Sequence, residues 1–281
     1  MDGKTVLITG ADGGIGREIT KALAKKGAAI VMACIDINDA QPVYESIKLE
    51  SGNTKVEMMQ VDLASLASIR EFADELSQRY SHLHVLINNA GIFRPVREET
   101  PDGCEATMGV NYLGPFLLTN LLLPMLKQAP EARIVNVASN AYVQGKIDFD
   151  DPHFQRKYKS FKAYATSKLA VVLFTMEIAE RLKDTRVTAN ALHPGQASTE
   201  IWNVHPQKWY QPLMSKIMKR FTHSPEEAAQ TSIYLASSGE VQGVTGGYFD
   251  KKKLKAIPPK FKDTKLQKGL WELSEKLTGL A

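Results

Sequence analysis

Tyr164 and Lys168 are four residues apart and have the side chains needed for acid–base chemistry. They fall in a stretch with helical spacing, and side chains four positions apart on a helix project from the same face. An unperturbed tyrosine hydroxyl has a pKa of about 10, too high for proton transfer at neutral pH. A nearby ammonium group favours the phenolate and lowers that pKa, so the pair predicts a general acid–base site.

The same pattern occurs upstream in Tyr158 and Lys162. That pair lies in the polar stretch DPHFQRKYKSFK, whereas Tyr164 opens a long pattern over 163–183 with apolar residues at core spacing. The sequence therefore predicts that Tyr164 is the reactive tyrosine and that Tyr158 lies in a surface loop.

A glycine-rich segment after the first predicted strand has the composition of a phosphate-binding turn. Gly10, Gly14 and Gly16 follow the pattern Gly-x-x-x-Gly-x-Gly, with Asp12 and Ile15 between them. Glycines let backbone N–H groups approach a pyrophosphate at a helix N-terminus, where a Cβ would block the approach. Glycines also form tight turns without a ligand, but the position at the first strand–helix junction favours nucleotide binding.

The elements that must position these residues alternate between short apolar runs and longer amphipathic segments. Strands are predicted at 4–9, 28–34, 55–61, 83–88, 132–139, 185–192 and 243–249, and helices at 15–26, 40–50, 65–80, 105–127, 163–183 and 225–237. Strands that are apolar on both faces and alternate with helices predict an α/β fold with a parallel sheet covered on both sides. Pro115 and Pro124 are expected to make the helix over 105–127 irregular. We expect a mostly parallel sheet of seven strands.

The charge distribution suggests where the domain ends. No linker or internal repeat interrupts residues 1–250, so one domain is expected there. Residues 251–268 hold eight lysines and one aspartate, a local charge of +7 in a chain with a formal charge of +4. A basic tail with a short terminal helix is predicted over 251–281. The tail is expected to be solvated and to aid solubility, and weak attraction to an anionic membrane surface is the alternative.

The composition excludes several classes of protein. Two cysteines, Cys34 and Cys104, are too few for a disulfide framework, and the six histidines lack metal-ligand spacing, so no metal is predicted. A nucleic-acid binder would carry its basic residues on a folded face with aromatics between them, so no nucleic-acid partner is expected. The 281 residues contain neither a transmembrane-length apolar run nor a signal-type start, which predicts a cytoplasmic protein.

Further motifs follow the glycine turn along the chain. They are Asp62 after the third strand, Asn88-Asn89-Ala90-Gly91 after the fourth, Asn111 in the long helix, Ser139 ending the fifth strand, Tyr164-x-x-x-Lys168, and Pro194-Gly195 with Thr199. In this order they resemble the short-chain dehydrogenases/reductases. The segments ALHPGQASTEI and YATSKLAVVLFTMEIAERL are most similar to the retinol-dehydrogenase-like branch. The resemblance implies a single doubly wound Rossmann domain.

The resemblance also implies four catalytic residues. Tyr164 would exchange a proton with the substrate oxygen while a nicotinamide exchanges a hydride, and Lys168 would also bind the nicotinamide ribose. Ser139 would hydrogen-bond the substrate oxygen, although a strand-end serine also satisfies backbone groups. Asn111 would hold a helix bend and a water of the proton relay. The implied reaction interconverts a hydrophobic alcohol and its ketone or aldehyde; the alternative is a non-catalytic NAD(P)-sensing protein on the same fold.

The implied cofactor contacts lie mostly in loops that follow strands. They are Gly10, Asp12, Gly14, Ile15, Gly16, Asp36, Asp62, Leu63, Asn89, Ala90, Gly91, Tyr164, Lys168, Pro194, Gly195 and Thr199. The Thr199 hydroxyl would bind the nicotinamide carboxamide, cap a helix, or do both.

The end of the second strand lacks the family's usual cofactor-specificity residues. Cys34 stands where NAD-specific members carry an aspartate, and Ile35 where NADP-specific members commonly carry an arginine. Asp12 and Asp36 would repel a 2′-phosphate, and Arg17 is the only nearby base. The expected cofactor is NAD(H) or NADP(H), with a preference for NAD(H).

An apolar segment over 196–224 lies where the family places a substrate lid. Trp202 and Trp209 belong to it, and Phe93 and Tyr142 would approach from other strand ends. Ligand sites in open α/β sheets lie outside the carboxyl ends of the strands. These residues therefore predict a pocket for a small apolar carbonyl or alcohol, and packing of the lid on its own domain is an equal alternative. A homodimer is compatible with the sequence.

Overall fold

The computed structural model describes residues 1–195 and 224–280, which contain one eight-stranded sheet. The strands are β1 (Thr5–Thr9), β2 (Ala29–Cys34), β3 (Val56–Gln60), β4 (Val85–Asn88), β5 (Ala132–Val137), β6 (Val187–His193), β7 (Tyr248–Asp250) and β8 (Lys253–Lys255). Their order is β3-β2-β1-β4-β5-β6-β7-β8, and only β8 is antiparallel to its neighbour. The mostly parallel sheet is confirmed, with eight strands instead of seven.

Helices cover both faces of the sheet. They are α1 (Gly14–Lys25), α2 (Ile37–Ser51), α3 (Leu66–Arg79), α4 (Ala106–Met108), α5 (Gly114–Gln128), α6 (Ser160–Arg181), α7 (Pro225–Ser237) and α8 (Thr264–Thr278). Successive strand residues point to opposite faces, so Leu7 joins the core under α3, α5, α6 and α8, whereas Val6 and Ile8 join the core under α1, α2 and α7. This is the predicted doubly wound Rossmann fold.

The segment predicted as a tail is folded onto the domain over residues 251–280. β8 pairs with β7, and Trp271 of α8 packs its ring 5.0 Å from Phe116 and 5.9 Å from Phe174. The Tyr112 hydroxyl lies 2.6 Å from Ser274 Oγ. The predicted terminal helix is present as α8. Residue 250 is not a domain boundary, because the lysine-rich segment also contains apolar residues that pack against α5 and α6.

The helix predicted over 105–127 is interrupted by a π-helical turn at Gly109–Leu113. Pro115, expected to disturb it, lies at the start of α5, where a missing N–H costs little. The span Ala106–Gln128 is the one helix among the described residues that is long and apolar enough to cross a membrane. Its most apolar window is 72% buried within the domain, as a core helix requires.

Candidate active site

The turn between β1 and α1 permits no side chain at two of its glycines. Gly10 has a φ of 59°, and a Cβ there would lie 3.1 Å from Ala90 Cα. A Cβ on Gly16 would lie 1.9 Å from the Gly10 carbonyl oxygen. The Asn89 amide donates to the carbonyls of Thr9 and Gly10 at 3.0 and 3.1 Å. The turn and the loop after β4 therefore form one closely packed unit.

The N-terminus of α1 suits an anionic group. Its N-cap is Gly13, which offers no side chain to the N–H groups of the first turn. Those N–H groups and the helix dipole attract negative charge. The cradle therefore fits the pyrophosphate of a nicotinamide dinucleotide, which Gly14 and Ile15 would hold.

Asn111 joins three parts of the site. Its side-chain amide donates to the Ile92 carbonyl and to Ser167 Oγ, both at 3.0 Å. Its Oδ1 accepts from the Ile92 N–H at 2.7 Å. Asn111 therefore ties the π-helical turn to the loop after β4 and to α6. The helix bend that the resemblance attributes to Asn111 lies at this turn.

Tyr164 and Ser139 are brought together from α6 and the end of β5. Tyr164 is buried, and its side chain is hydrogen-bonded to Ser139. The Ser139 oxygen also accepts from the Ala141 N–H at 3.2 Å. Burial raises the pKa of Tyr164, and the hydrogen bond with Ser139 opposes that rise. The sequence predicts a lowered pKa for Tyr164, and this prediction is wrong.

Lys168 explains the discrepancy. Its Nζ donates to the Val137 carbonyl at 3.0 Å and lies 5.8 Å from the centre of the Tyr164 ring. Burial lowers the pKa of Lys168 to about 8. The ammonium is thus directed at the backbone of β5 and is itself disfavoured, which weakens its effect on the phenol. A Cβ on Gly91 would lie 3.4 Å from Nζ, so this glycine leaves space beside the ammonium.

We expect kcat for reduction of the carbonyl substrate to fall as the pH rises through about 8, where Lys168 loses its proton. A lowered lysine pKa means that the ammonium persists below that pH and the neutral amine prevails above it, where it no longer stabilises a phenolate. Lys168→Arg keeps the cation throughout, so its residual kcat should show no alkaline decline. The measurement is a kcat profile from neutral to alkaline pH. A flat wild-type profile would contradict this role.

The three charged side chains that bear on the cofactor preference, Asp36, Asp12 and Arg17, have partners within the protein. Asp36 caps α2, accepting from the N–H groups of Asn38 and Asp39 at 2.7 and 3.2 Å. The Asp12 side chain is hydrogen-bonded to the Cys34 thiol, whose pKa is raised by burial and by that carboxylate. Arg17, the base predicted to lie nearby, pairs with Glu50 of α2 at 3.0 Å.

The remaining predicted cofactor contacts follow other strands at the same edge of the sheet. Asp62 accepts from the Ala64 N–H at 2.8 Å, which shapes the turn that exposes little of Leu63. β6 ends at His193, and Pro194 leads to Gly195, whose φ is 93°. Thr199, Trp202 and Trp209 lie outside the described residues.

The two described candidates for the substrate pocket have different environments. The Phe93 ring lies edge-to-face with Tyr164, their centres 5.9 Å apart, so it contacts the reactive side chain. Tyr142 is buried instead, with Tyr248 at 4.8 Å and Phe261 at 5.7 Å. Tyr142 therefore belongs to an aromatic cluster built partly from the folded C-terminal segment, which corrects its assignment to an open pocket wall.

A supporting network behind Ser139 was missed from the sequence. The Tyr248 hydroxyl donates to Asn140 Oδ1 at 2.9 Å, and the Asn140 N–H donates to His193 Nδ1 at 3.4 Å. This network holds the segment that follows the reactive serine. Nothing local in the sequence signals it, because its members come from three separate strand ends.

Comparisons with known proteins agree with this geometry. The family model for short chain dehydrogenase matches residues 4–208. The chain belongs to the short-chain dehydrogenases. The whole chain is 45% identical over 284 residues to Homo sapiens retinol dehydrogenase 13, covering 86% of that protein. It is also 44% identical over 294 residues to Homo sapiens retinol dehydrogenase 14, covering 88% of it.

Solved structures support the same assignment for this short-chain dehydrogenase. An uncharacterized protein from Mycobacterium Paratuberculosis is 32% identical, with a TM-score of 0.79 over 99% of this chain and 94% of that one. A short chain dehydrogenase from Escherichia coli complexed with NADPH is 22% identical, with a TM-score of 0.71 over 90% of this chain and 98% of that one. At that identity, the second likeness shows the fold alone.

Family membership and the assembled site together define the chemistry. The chain is a nicotinamide-dependent oxidoreductase that interconverts an alcohol and its carbonyl compound. The nicotinamide, when bound, supplies or accepts the hydride. Tyr164 is the candidate for supplying the proton, with Ser139, Lys168 and Asn111 as its supporting residues. The non-catalytic alternative gains no support, because all four side chains are present and lie in one site.

Proposed function

We propose that this short-chain dehydrogenase acts on a hydrophobic alcohol of the retinol type and on the corresponding aldehyde. The observation that carries the proposal is the 45% identity across the whole chain to a protein named retinol dehydrogenase. The apolar Phe93 ring against Tyr164 supports it, because an apolar substrate would meet that ring beside the reactive hydroxyl. Trp202 and Trp209 stay predictions for the rest of the pocket.

The proton chemistry follows from the contacts of Tyr164. In the direction of reduction, its hydroxyl donates a proton to the substrate oxygen, which accepts a second hydrogen bond from Ser139. The phenolate that remains is stabilised by the nearby Lys168 ammonium. Asn111 keeps α6 and the loop after β4 in register with each other, so the acid and the apolar Phe93 ring stay together. Oxidation uses the same groups in reverse.

A panel of aldehydes tests this function. The full chain is assayed with retinaldehyde, a long aliphatic aldehyde and acetaldehyde, with NADH and with NADPH, by following the absorbance of the reduced nicotinamide. We expect kcat/KM to be largest for retinaldehyde and smallest for acetaldehyde. Similar kcat/KM values for all three would contradict an apolar substrate, and a complete lack of turnover would contradict the reaction.

The preference for NAD(H) is the finer part of the proposal. Asp36 is held at the start of α2 by its own capping bonds, and Asp12 is held by the Cys34 thiol. Two carboxylates therefore remain near the expected ribose, while Arg17 is engaged by Glu50. A 2′-phosphate carries up to two negative charges and would be repelled there.

We expect Ile35→Arg to shift the preference toward NADP(H). Ile35 is 64% exposed at the end of β2, so an arginine fits there without repacking and supplies a bidentate partner for the 2′-phosphate. Fluorescence titration of NADH and NADPH measures the ratio of the two Kd values. Leu49→Arg is the matched control, because Leu49 is also an exposed apolar residue, on α2. Wild-type protein that binds NADPH about tenfold tighter than NADH would overturn the preference.

A cytoplasmic location and a homodimeric assembly also stay predictions. Cell fractionation and the mass of the purified chain in solution would test the two separately.

A further inference from the structure

β7 and β8 form a hairpin with a strained, highly charged turn. Asp250 pairs with Lys253, so Lys251 and Lys252 form a two-residue turn between the strands. Their φ angles are 51° and 63°. Turns of this kind favour Asn-Gly, since positive φ strains any residue with a Cβ other than Asn or Asp. Two lysines therefore occupy positions where Asn and Gly would make the turn more stable.

The rest of the hairpin presents charge around one apolar side chain. We call residues 251–255 the basic hairpin; its four lysines are all exposed, and Leu254 between them is 61% exposed. Among the described residues, none of these lysines forms a salt bridge. Lys252 donates instead to the neutral Gln230 side chain at 3.3 Å. The charge of the hairpin is thus largely uncompensated.

The basic hairpin opens on the same side of the molecule as the active site. β7 runs parallel to β6, with Asp250 opposite His193, so the turn leaves the sheet at the carboxyl ends of the strands. Ser139 and Pro194-Gly195 follow β5 and β6 at that same edge. A surface that met the hairpin would therefore also face the substrate side of the sheet.

We propose that the basic hairpin docks this protein on an anionic phospholipid surface. Clustered lysines are attracted to acidic headgroups, and an exposed leucine among them can enter the apolar boundary below. Nucleic acid fits less well, because the aromatic residues of this C-terminal segment, Phe261 and Trp271, are buried and expose no ring for stacking on bases. Docking would bring the site to a lipid-dissolved substrate, but the proposal stands without the proposed function.

A simpler role for the lysines makes a different prediction. Charged side chains on an edge strand prevent pairing with another chain, and β8 is such an edge. That role explains the lysines of β8 but not the exposed Leu254 or the strained lysine turn. If it is the only role, removing the charges of Lys253 and Lys255 in β8 causes self-association, and wild-type protein does not bind vesicles.

The test is co-sedimentation of the full chain with vesicles. It uses neither substrate nor cofactor, so a failure to bind vesicles can be told apart from a failure of the proposed activity. We expect binding to phosphatidylcholine vesicles that contain phosphatidylserine, and none to phosphatidylcholine alone. Lys251→Asn with Lys252→Gly creates the preferred turn sequence, so this variant should melt at a higher temperature than wild type. It should nevertheless bind about 25-fold more weakly, at about fivefold per lysine lost.

Two further variants separate the contributions. Lys25→Ser with Lys26→Ser removes the same charge from exposed positions at the end of α1. These positions lie at the amino ends of the parallel strands, away from the hairpin, so this variant should bind like wild type. Leu254→Ser should weaken binding without changing its salt dependence. Equal binding to uncharged vesicles, no binding to either vesicle, or equal losses in the Lys25 and Lys251 variants would overturn the proposal. Tighter binding to duplex DNA than to the phosphatidylserine vesicles at the same salt concentration would assign the hairpin to nucleic acid instead.

Discussion

Tyr164→Phe should lower kcat by about 10²–10⁴-fold while leaving the Kd for the nicotinamide nucleotide nearly unchanged. The substitution removes only the hydroxyl, which is the group hydrogen-bonded to Ser139 and the proposed proton donor. The ring stays, so its edge-to-face contact with Phe93 and the packing of α6 are retained. Steady-state kinetics with retinaldehyde and a fluorescence titration of the nucleotide measure the two quantities separately.

Tyr158→Phe is the matched control for that experiment. Tyr158 lies in the loop before α6, where its hydroxyl donates to the Arg94 carbonyl at 2.7 Å and to Glu105 Oε1 at 3.5 Å. Its loss removes these hydrogen bonds, each worth about 1 kcal/mol of stability, and should leave kcat within a few-fold of wild type. An inactive Tyr158 variant beside an active Tyr164 variant would show that the wrong tyrosine has been assigned.

The parts of the site that were predictable from the sequence are those set by local spacing. The helix that carries Tyr164 and Lys168 is regular enough for a four-residue interval to place both on one face. The glycine turn was predictable for a similar reason, because only glycine fits where the start of α1 meets the carbonyl of Gly10 in the same turn. These features depend on few residues that are close in the chain.

The features that were not predictable depend on contacts between distant segments. Tyr142 became part of a cluster with Tyr248 and Phe261 only because the C-terminal segment folds back onto the domain. The direction of the Lys168 amine depends on the Val137 carbonyl, which belongs to another element. No periodicity in the sequence reports such a bond, so the sign of the Tyr164 pKa shift could not be obtained from the Tyr-x-x-x-Lys spacing.

The long helix is irregular, as predicted, but its prolines are not the cause. The irregularity was attributed to Pro115 and Pro124, yet both lie within α5. The break is the π-helical turn that contains Asn111, whose side chain bonds to the backbone of Ile92 on both its N–H and its carbonyl. A single buried amide therefore couples the helix to the loop after β4, which is a long-range effect that proline positions do not reveal.

Gly16→Ala should weaken nucleotide binding at least about tenfold and lower the free energy of unfolding by about 1–3 kcal/mol. The added Cβ would lie 1.9 Å from the Gly10 carbonyl oxygen and 2.8 Å from the Asn89 amide nitrogen. Neither contact can be relieved by rotating a flexible side chain, because the first is backbone and Asn89 is already bonded to the turn. The turn must therefore move away from the helix N-terminus, where the pyrophosphate would bind.

Gly13→Ala adds the same methyl group to the same turn and serves as its control. A Cβ on Gly13 would meet nothing closer than the Gly10 carbonyl oxygen at 3.8 Å, which is an ordinary contact. The φ of Gly13 is −77°, which alanine adopts without strain. Its nucleotide Kd should stay within a few-fold of wild type, as measured by fluorescence titration, and its Tm should change little. If both variants bind the nucleotide equally well, the close approach at Gly16 does not shape the cofactor cradle, and the pyrophosphate must bind elsewhere on the carboxyl edge of the sheet.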